Sequence, residues 1–274
     1  MLSPMLSPTR RALLVGINAY PDSALRGCVN DVQDMAEFLV DKCDFEEADV
    51  RLLVDARAST RGILDRLDWL TSGARPGDRL FFHYSGHGAQ VTDRDALGSV
   101  QRPEDVLCPQ NFDWTPGHMI SGRQLNHIFC ALPKGVTTTV VVDACHSGDI
   151  DRDLPKPGRR ERRIVPPADL AWRRRAAKKR GHRAVPLAGD LSLPEPPVAI
   201  VTGCRSDQTS ADAVFGDRPN GALTYYLLRQ LGAAGGLTDP LPALVARVVA
   251  ALGENDYDQV PQLVGGDTHR AFLP

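Results

Sequence analysis

Two short stretches carry the residues that could do chemistry. VVVDACHSGD, Val140 to Asp149, runs from β-branched residues into an acid, a cysteine, a histidine, a serine and a glycine, while FFHYSGHG, Phe81 to Gly88, ends on a histidine between two glycines. A thiol at a strand-to-loop junction is exposed enough to react yet held on a rigid element. With a free pKa of roughly 8.5 it still needs a neighbouring base or cation to become a thiolate. His146 adjoins Cys145, but successive residues of an extended strand point to opposite faces, which makes it a poor partner. His87 is the better base, because its glycines let backbone approach a substrate closely and the Gly88 N–H could face an oxyanion. His83, inside the apolar run, reads as a packed core residue, and His118, His127, His182 and His269 read as surface residues. A lone strand-end cysteine is commonly a buried structural thiol. Paired with a glycine-flanked histidine after another strand, it becomes half of a cysteine-protease dyad.

The elements that must position this pair follow from periodicity. Apolar runs at 11–18, 50–54, 78–85, 137–142 and 198–203 predict strands, with a late edge strand at 262–265. Helical spacing of apolar residues predicts helices over 30–43, 60–71, 121–132, 221–231 and 242–252. Strands alternating with helices give an α/β fold, a mainly parallel sheet covered on both faces, whose ligands sit beyond the carboxyl ends of the strands. The loops after Ile17, Tyr84 and Val142 should therefore converge, bringing together Cys28 and Asp31, Ser85 and His87, and Asp143 and Cys145.

Composition narrows the class. The 274 residues are 42% hydrophobic and 24% charged, as in ordinary globular proteins, and no apolar run approaches the roughly 18 residues of a membrane span. The start lacks the order of a signal peptide, so the cytoplasm is the expected location. Six cysteines without C-x-x-C pairs read as free thiols. The net charge of −2 conceals an asymmetry: between Ile150 and Val185, 13 Lys and Arg face four acids, a local +9 that leaves −11 for the rest. Over 151–197 periodicity gives way to Arg, Lys and Pro, the composition of a linker or insertion.

HYSGHG at 83–88 and DACHSG at 143–148 resemble the His and Cys motifs of the caspase-like peptidases, specifically metacaspases of the bacterial type I or orthocaspase kind. GINAY at 16–20, LRGCVNDV at 25–32, TGCRSDQTSADA at 202–213 and NGALTYYLL at 220–228 also look like metacaspase segments. The animal-caspase signature Q-A-C-[RQG]-G is not met, since Asp143 stands where its Gln would be. The resemblance implies a caspase-like αβα sandwich, with a large-subunit-like half at 1–150, the basic insertion at 151–197 and a small-subunit-like half at 198–274. It implies a cysteine endopeptidase with His87 and Cys145 as catalytic dyad, and Gly88 and Cys145 N–H groups as oxyanion hole. It also implies a pocket of Cys28, Asp31, Ser85 and Asp143 selecting Arg or Lys before the cleaved bond. Asp31 would equally suit the first turn of a helix, where the dipole favours acids. A +9 segment tethered beside a pocket for Arg or Lys is a substrate at high effective concentration, so self-processing between Arg152 and Arg183 is expected; the resemblance implies a cell-death or defence setting.

Many members of that family need calcium. Glu104, Asp105, Asp151 and Asp153 remain here, but ISGRQL at 120–125 puts Gly122 and Arg123 where paired acids usually open the next helix. A calcium ion wants six or more oxygen ligands, so no cofactor is expected to be required and calcium control is discounted. Zinc held by His83, His87 and Cys145 is disfavoured, because H-x-x-x-H lies on a strand, about 13 Å long at 3.3 Å per residue. The basic segment could instead bind nucleic acid or an acidic partner on a protease-like scaffold, but it holds one aromatic, Trp172, and no binding motif. The expected partners are protein or peptide substrates, with no membrane, no nucleic acid and a monomeric state.

Overall fold

The apolar runs become strands and the amphipathic runs become helices. The computed structural model describes residues 7–94, 100–145, 159–164, 198–205 and 208–274. In chain order the elements are β1 (Arg10–Gly16), α1 (Cys28–Lys42), β2 (Val50–Val54), α2 (Thr60–Thr71), β3 (Arg79–Ser85), β4 (Gly88–Arg94), β5 (Val100–Leu107), β6 (Ile120–Ser121), α3 (Gly122–Cys130), β7 (Thr137–Asp143), β8 (Arg160–Glu161), β9 (Ala199–Thr202), β10 (Ala211–Phe215), β11 (Arg218–Gly221), α4 (Ala222–Gly232), α5 (Leu241–Glu254) and β12 (Gln262–Val264).

The central sheet has the order β12-β9-β7-β3-β1-β2, parallel except for β12, which runs antiparallel to β9. Side chains alternate across it. Leu13, Val15, Phe82, Val140 and Val142 face a core shared with Ile63, Leu67 and Leu70 of α2 and Leu125 and Phe129 of α3. Ala12, Leu14, Phe81, Val141 and Val201 face the other core, with Val32, Met35 and Leu39 of α1, Leu223 and Leu227 of α4, and Leu244 and Val248 of α5. Near-continuous apolar strands are what burial on both faces demands. Ser59 starts α2 by accepting from the Gly62 N–H, and Ser121 and Gln124 close a capping box on α3.

Register aligns the chemistry. Gly16 pairs with Ser85 and Ser85 with Asp143, so three strand ends lie side by side at one edge of the sheet.

Two smaller antiparallel sheets flank this frame, β4-β5-β6 and β11-β10-β8, and periodicity foretold neither. Pro103 interrupts the pattern of β5, and it is tolerated because β6 pairs only with Val106 and Leu107 while Pro103 faces β4 alone. Residues 159–164 are ordered against β10, with Ala211 opposite Glu161 and Asp212 opposite Arg160; the remainder of 151–197 lies outside the described residues. Among the described residues, no helix is long and apolar enough to cross a membrane.

Candidate active site

Parallel pairing brings most of the expected site residues to one place, and a residue of the chain's own basic segment fills it. Arg162 is fully buried, which an arginine tolerates only when paired. Its Nη2 lies 2.7 Å from Asp31 Oδ2 and 3.2 Å from Asp212 Oδ1, and its Nη1 lies 3.4 Å from Asp143 Oδ2. Nη1 also donates to Ser85 Oγ at 2.6 Å and to the Asp143 carbonyl at 3.2 Å. Ser85 Oγ donates in turn to Asp31 Oδ2 at 2.7 Å. Asp31 and Asp143 were expected in such a pocket; Asp212 was not. Its signal was the TGCRSDQTSADA stretch at 202–213, in which position alone gave no reason to prefer Asp212 over Asp207.

Three carboxylates around one guanidinium need further donors, and each has them. Asp31 accepts from the Gly221 N–H at 2.8 Å and Asn220 Nδ2 at 3.0 Å, Asp143 from Ser210 Oγ at 2.7 Å and Thr224 Oγ1 at 2.8 Å, and Asp212 from the Arg26 and Gly27 N–H groups at 2.9 and 2.8 Å. Gly221 is obligatory here, since a Cβ would stand 2.3 Å from Asp143 Oδ2. Burial raises the Asp31 carboxyl to about 6, against the downward pull of the Arg162 guanidinium. Burial would lower Arg162, but the charges of Asp143, Cys28, Asp31 and Asp212 hold it well above its ordinary value. Cys28 is buried beside Ser85, its thiol pushed well up by burial.

The backbone of the same arginine meets the expected oxyanion hole. Its carbonyl oxygen accepts from the Gly88 N–H at 3.0 Å and the Cys145 N–H at 3.2 Å. The Arg162 N–H donates to the Ser210 carbonyl at 3.1 Å, and the Ile164 N–H to the Gly88 carbonyl at 3.1 Å. The segment thus lies as an extended strand across Cys145. That accounts in part for a correction: the Cys145 thiol, expected to be accessible, is fully buried. Its Sγ accepts from the Ser210 N–H and sits 3.4 Å from the Ser210 carbonyl. Cys204 contacts it, and hydrogen bonding to Cys145 together with burial pushes the Cys204 thiol well up.

His87 is also fully buried. Its Nε2 lies 2.6 Å from the Ser23 carbonyl, and because a carbonyl only accepts, the ring proton belongs on Nε2 and the lone pair on Nδ1. Nδ1 has no hydrogen-bond partner among the described residues, although the Arg162 backbone is near enough to favour the protonated ring. Burial dominates and lowers His87 to about 4. Two tyrosines that sequence reasoning passed over hold this turn. Tyr20 packs its ring 4.5 Å from the His87 ring and accepts from the His87 N–H at 3.0 Å, and Tyr84 Oη is 2.8 Å from the His87 carbonyl. A Cβ on Gly86 would stand 2.6 Å from Tyr20 Oη, so the first glycine of SGHG is steric.

His83 is a core histidine, lowered to about 4 by burial, with Nε2 3.3 Å from Thr224 Oγ1. His146, Asp151 and Asp153 lie outside the described residues. Glu104 is engaged by Arg123, whose N–H and Nη2 reach its carboxylate at 3.2 and 3.0 Å, and Asp105 accepts from Gln90 Nε2 at 3.1 Å. Among the described residues no group of three or more His, Cys, Asp or Glu could hold a metal ion.

Residues 10–155 match the family described as metacaspase, peptidase C14 domain. The chain belongs to the metacaspases. It is 30% identical to Metacaspase-1 of Cryptococcus neoformans over 96% of this chain and 64% of that protein. It is 42% identical to Metacaspase-1 of Eremothecium gossypii over 53% of this chain and 33% of that one. It therefore spans less than two thirds of the length of these metacaspases. A crystal structure of a Geobacter sulfurreducens protein superposes with a TM-score of 0.68 at 25% identity, covering 97% of both chains. Caspase-1 of Spodoptera frugiperda superposes with a TM-score of 0.60 at 11% identity, covering 94% of this chain and 87% of that one, a likeness of fold. The family is one of caspase-like cysteine peptidases, and the mainly parallel sheet between helices is their fold.

Proposed function

We propose that this protein is a cysteine endopeptidase that cleaves after Arg or Lys and processes itself between Arg162 and Arg163. One observation carries the reading: Arg162 has its guanidinium among three buried carboxylates while its carbonyl oxygen accepts from the Gly88 and Cys145 N–H groups. A residue held by its charge alone would not need its carbonyl in that hole. Donors aimed at a carbonyl oxygen stabilise the negative charge that grows there during attack.

In the proposed reaction the Cys145 thiol gives its proton to His87 as its sulfur forms a bond to the Arg162 carbonyl carbon, and the electron pair of the C=O moves onto the oxygen. The C–N bond to Arg163 then breaks as His87 gives a proton to the departing nitrogen, leaving a thioester and a new amino terminus at Arg163. Water, losing a proton to His87, adds to the thioester carbon and releases Cys145 with a carboxylate at Arg162. Burial lowers His87 to about 4, so its ring is uncharged at neutral pH and able to accept a proton. Until cut, the segment occupies the cleft, which makes activity conditional and fits a role in regulated proteolysis. No cofactor enters this scheme.

The test is to incubate wild type and Cys145→Ala in parallel and read fragment termini by mass spectrometry. A new terminus at Arg163 in wild type alone is expected. An intact wild-type chain that cleaves added Arg peptides would make the segment a plug rather than a substrate, and failure to cut either would overturn the reading.

A further inference from the structure

Three residues before Arg162, a second arginine of the same segment is seated against the protein. Arg159 places its guanidinium carbon 3.8 Å from the centre of the Tyr257 ring. Its Nη1 donates to the Asp256 carbonyl at 2.8 Å and its Nη2 reaches the Asn255 carbonyl at 3.3 Å. We infer that the Tyr257 ring and the carbonyls of Asn255 and Asp256 form a binding site for a guanidinium, selecting Arg at the third position before the residue whose carbonyl is attacked. The inference rests on the proposed cleavage after Arg162.

The site is built by the fold. The Tyr257 ring lies 6.1 Å from Phe215 and 5.9 Å from Tyr226, and Phe215 in turn stacks on Tyr225 at 3.8 Å. Phe215 ends β10, the strand on which β8 is laid, so the ring stands along the track of an extended peptide. The two carbonyls follow the carboxyl end of the 14-residue helix α5, where peptide dipoles leave negative partial charge. Their turn is fixed: the Asn255 and Tyr257 N–H groups both bond the Leu252 carbonyl, and Asp256 takes φ +61°. A planar cation with a fork of donors meets a ring face and two carbonyls at once, whereas an ammonium is a point charge without that plane. Arg160, one residue on, reaches only an exposed contact with the Ala24 carbonyl at 2.6 Å. An extended strand carries alternate residues to opposite sides, which separates the two.

The test uses the full-length protein and fluorogenic tetrapeptides that all end in Arg and differ only at the first residue, Arg, Lys or Ala. The readout is the ratio of kcat/KM between peptides for each protein, so competition from the tethered segment cancels. Wild type is expected to favour the Arg-headed peptide over the Ala-headed one by about five- to twentyfold, with Lys between them. Tyr257→Phe keeps the ring face and should keep the ratio; Tyr257→Ala should bring it below about twofold. Wild type cutting all three peptides equally overturns the site while leaving cleavage after Arg intact. A preference surviving in Tyr257→Ala overturns the role of the ring. Failure to cut any Arg-ended peptide removes the underlying reading, and this inference with it.

Discussion

Arg162 and Arg123 both meet carboxylates, with opposite consequences. Arg162 has no solvent exposure, three acids around it and a neutral hydrogen-bond donor on every acid. Arg123 is 49% exposed and holds Glu104 with a fork of ordinary geometry. Water reaches the Arg123 side of the second pair, although Glu104 is only 14% exposed, and pairs open to solvent contribute about 0–1 kcal/mol. Water is excluded from the first, so removing one partner leaves uncompensated buried charge, at a cost of about 3–5 kcal/mol. Burial, rather than the residue types, separates the Arg162 cluster from the Arg123 pair.

The sharpest way to break this contrast is to remove the chemistry while keeping both arginines. Cys145→Ala and His87→Ala should each lower cleavage of Arg-ended peptides and of the 162–163 bond by at least about a thousandfold, measured by initial rates and fragment mapping. Wild-type turnover in Cys145→Ala would mean that the buried pocket serves no catalysis.

Neutralising the pocket comes next in size. Asp31→Asn, Asp143→Asn and Asp212→Asn should each lower kcat/KM for Arg-ended peptides roughly a hundredfold, since each removes one partner of a buried charge pair. Peptides ending in Asp should remain uncut by wild type. An Asp212→Asn protein with wild-type kcat/KM would return the pocket to the two acids the sequence named.

The pH dependence is smaller and has a definite sign. Asp31 has its carboxyl raised to about 6, so it is charged above that pH and neutral below it. Its attraction for the Arg162 guanidinium is therefore present above about pH 6 and lost as pH falls through it. The expected pH profile of self-cleavage at the 162–163 bond, where Arg162 fills the pocket, has an acid limb near 6, well above the value of about 4 to which burial lowers His87. A profile flat down to pH 5 would show that Asp31 ionises far more easily than its burial implies.

The exposed pair should give the smallest effects. Arg123→Ala is expected to change unfolding free energy by no more than about 1 kcal/mol in denaturant titration. Peptidase activity should persist in excess chelator. A steep calcium requirement would show that Glu104 and Asp105, with Asp151 or Asp153, build a cation site despite the Arg123 contact.

Much of the fold was legible because two periods dominate the chain. β3 and β7 announced themselves as unbroken apolar runs, and α1 and α2 as stripes of apolar residues, since burial on both faces or on one face leaves those marks. β8, β10 and β11 left no such mark, being short pieces whose pairing depends on distant residues. In the site, His87, Gly88, Cys145, Asp31, Ser85 and Asp143 could be named because each follows a strand end that the fold class aims at one crevice. Tyr20, Ser210 and Asp212 could not, because their roles rest on hydrogen bonds across separations of 67 and 185 residues for Tyr20 to His87 and Asp212 to Gly27.

By itself, then, the sequence determined an α/β sheet with a cysteine, a histidine and two acids at its carboxyl edge, because hydrophobic periodicity and strand-end placement are local properties. Only the tertiary structure decided which of the many arginines in the basic segment enters the pocket. Thirteen Lys and Arg between Ile150 and Val185 look alike in composition. Arg162 is singled out because strand pairing with β10 sets its register, putting guanidinium and carbonyl on their partners together, and that register exists only once the chain has folded.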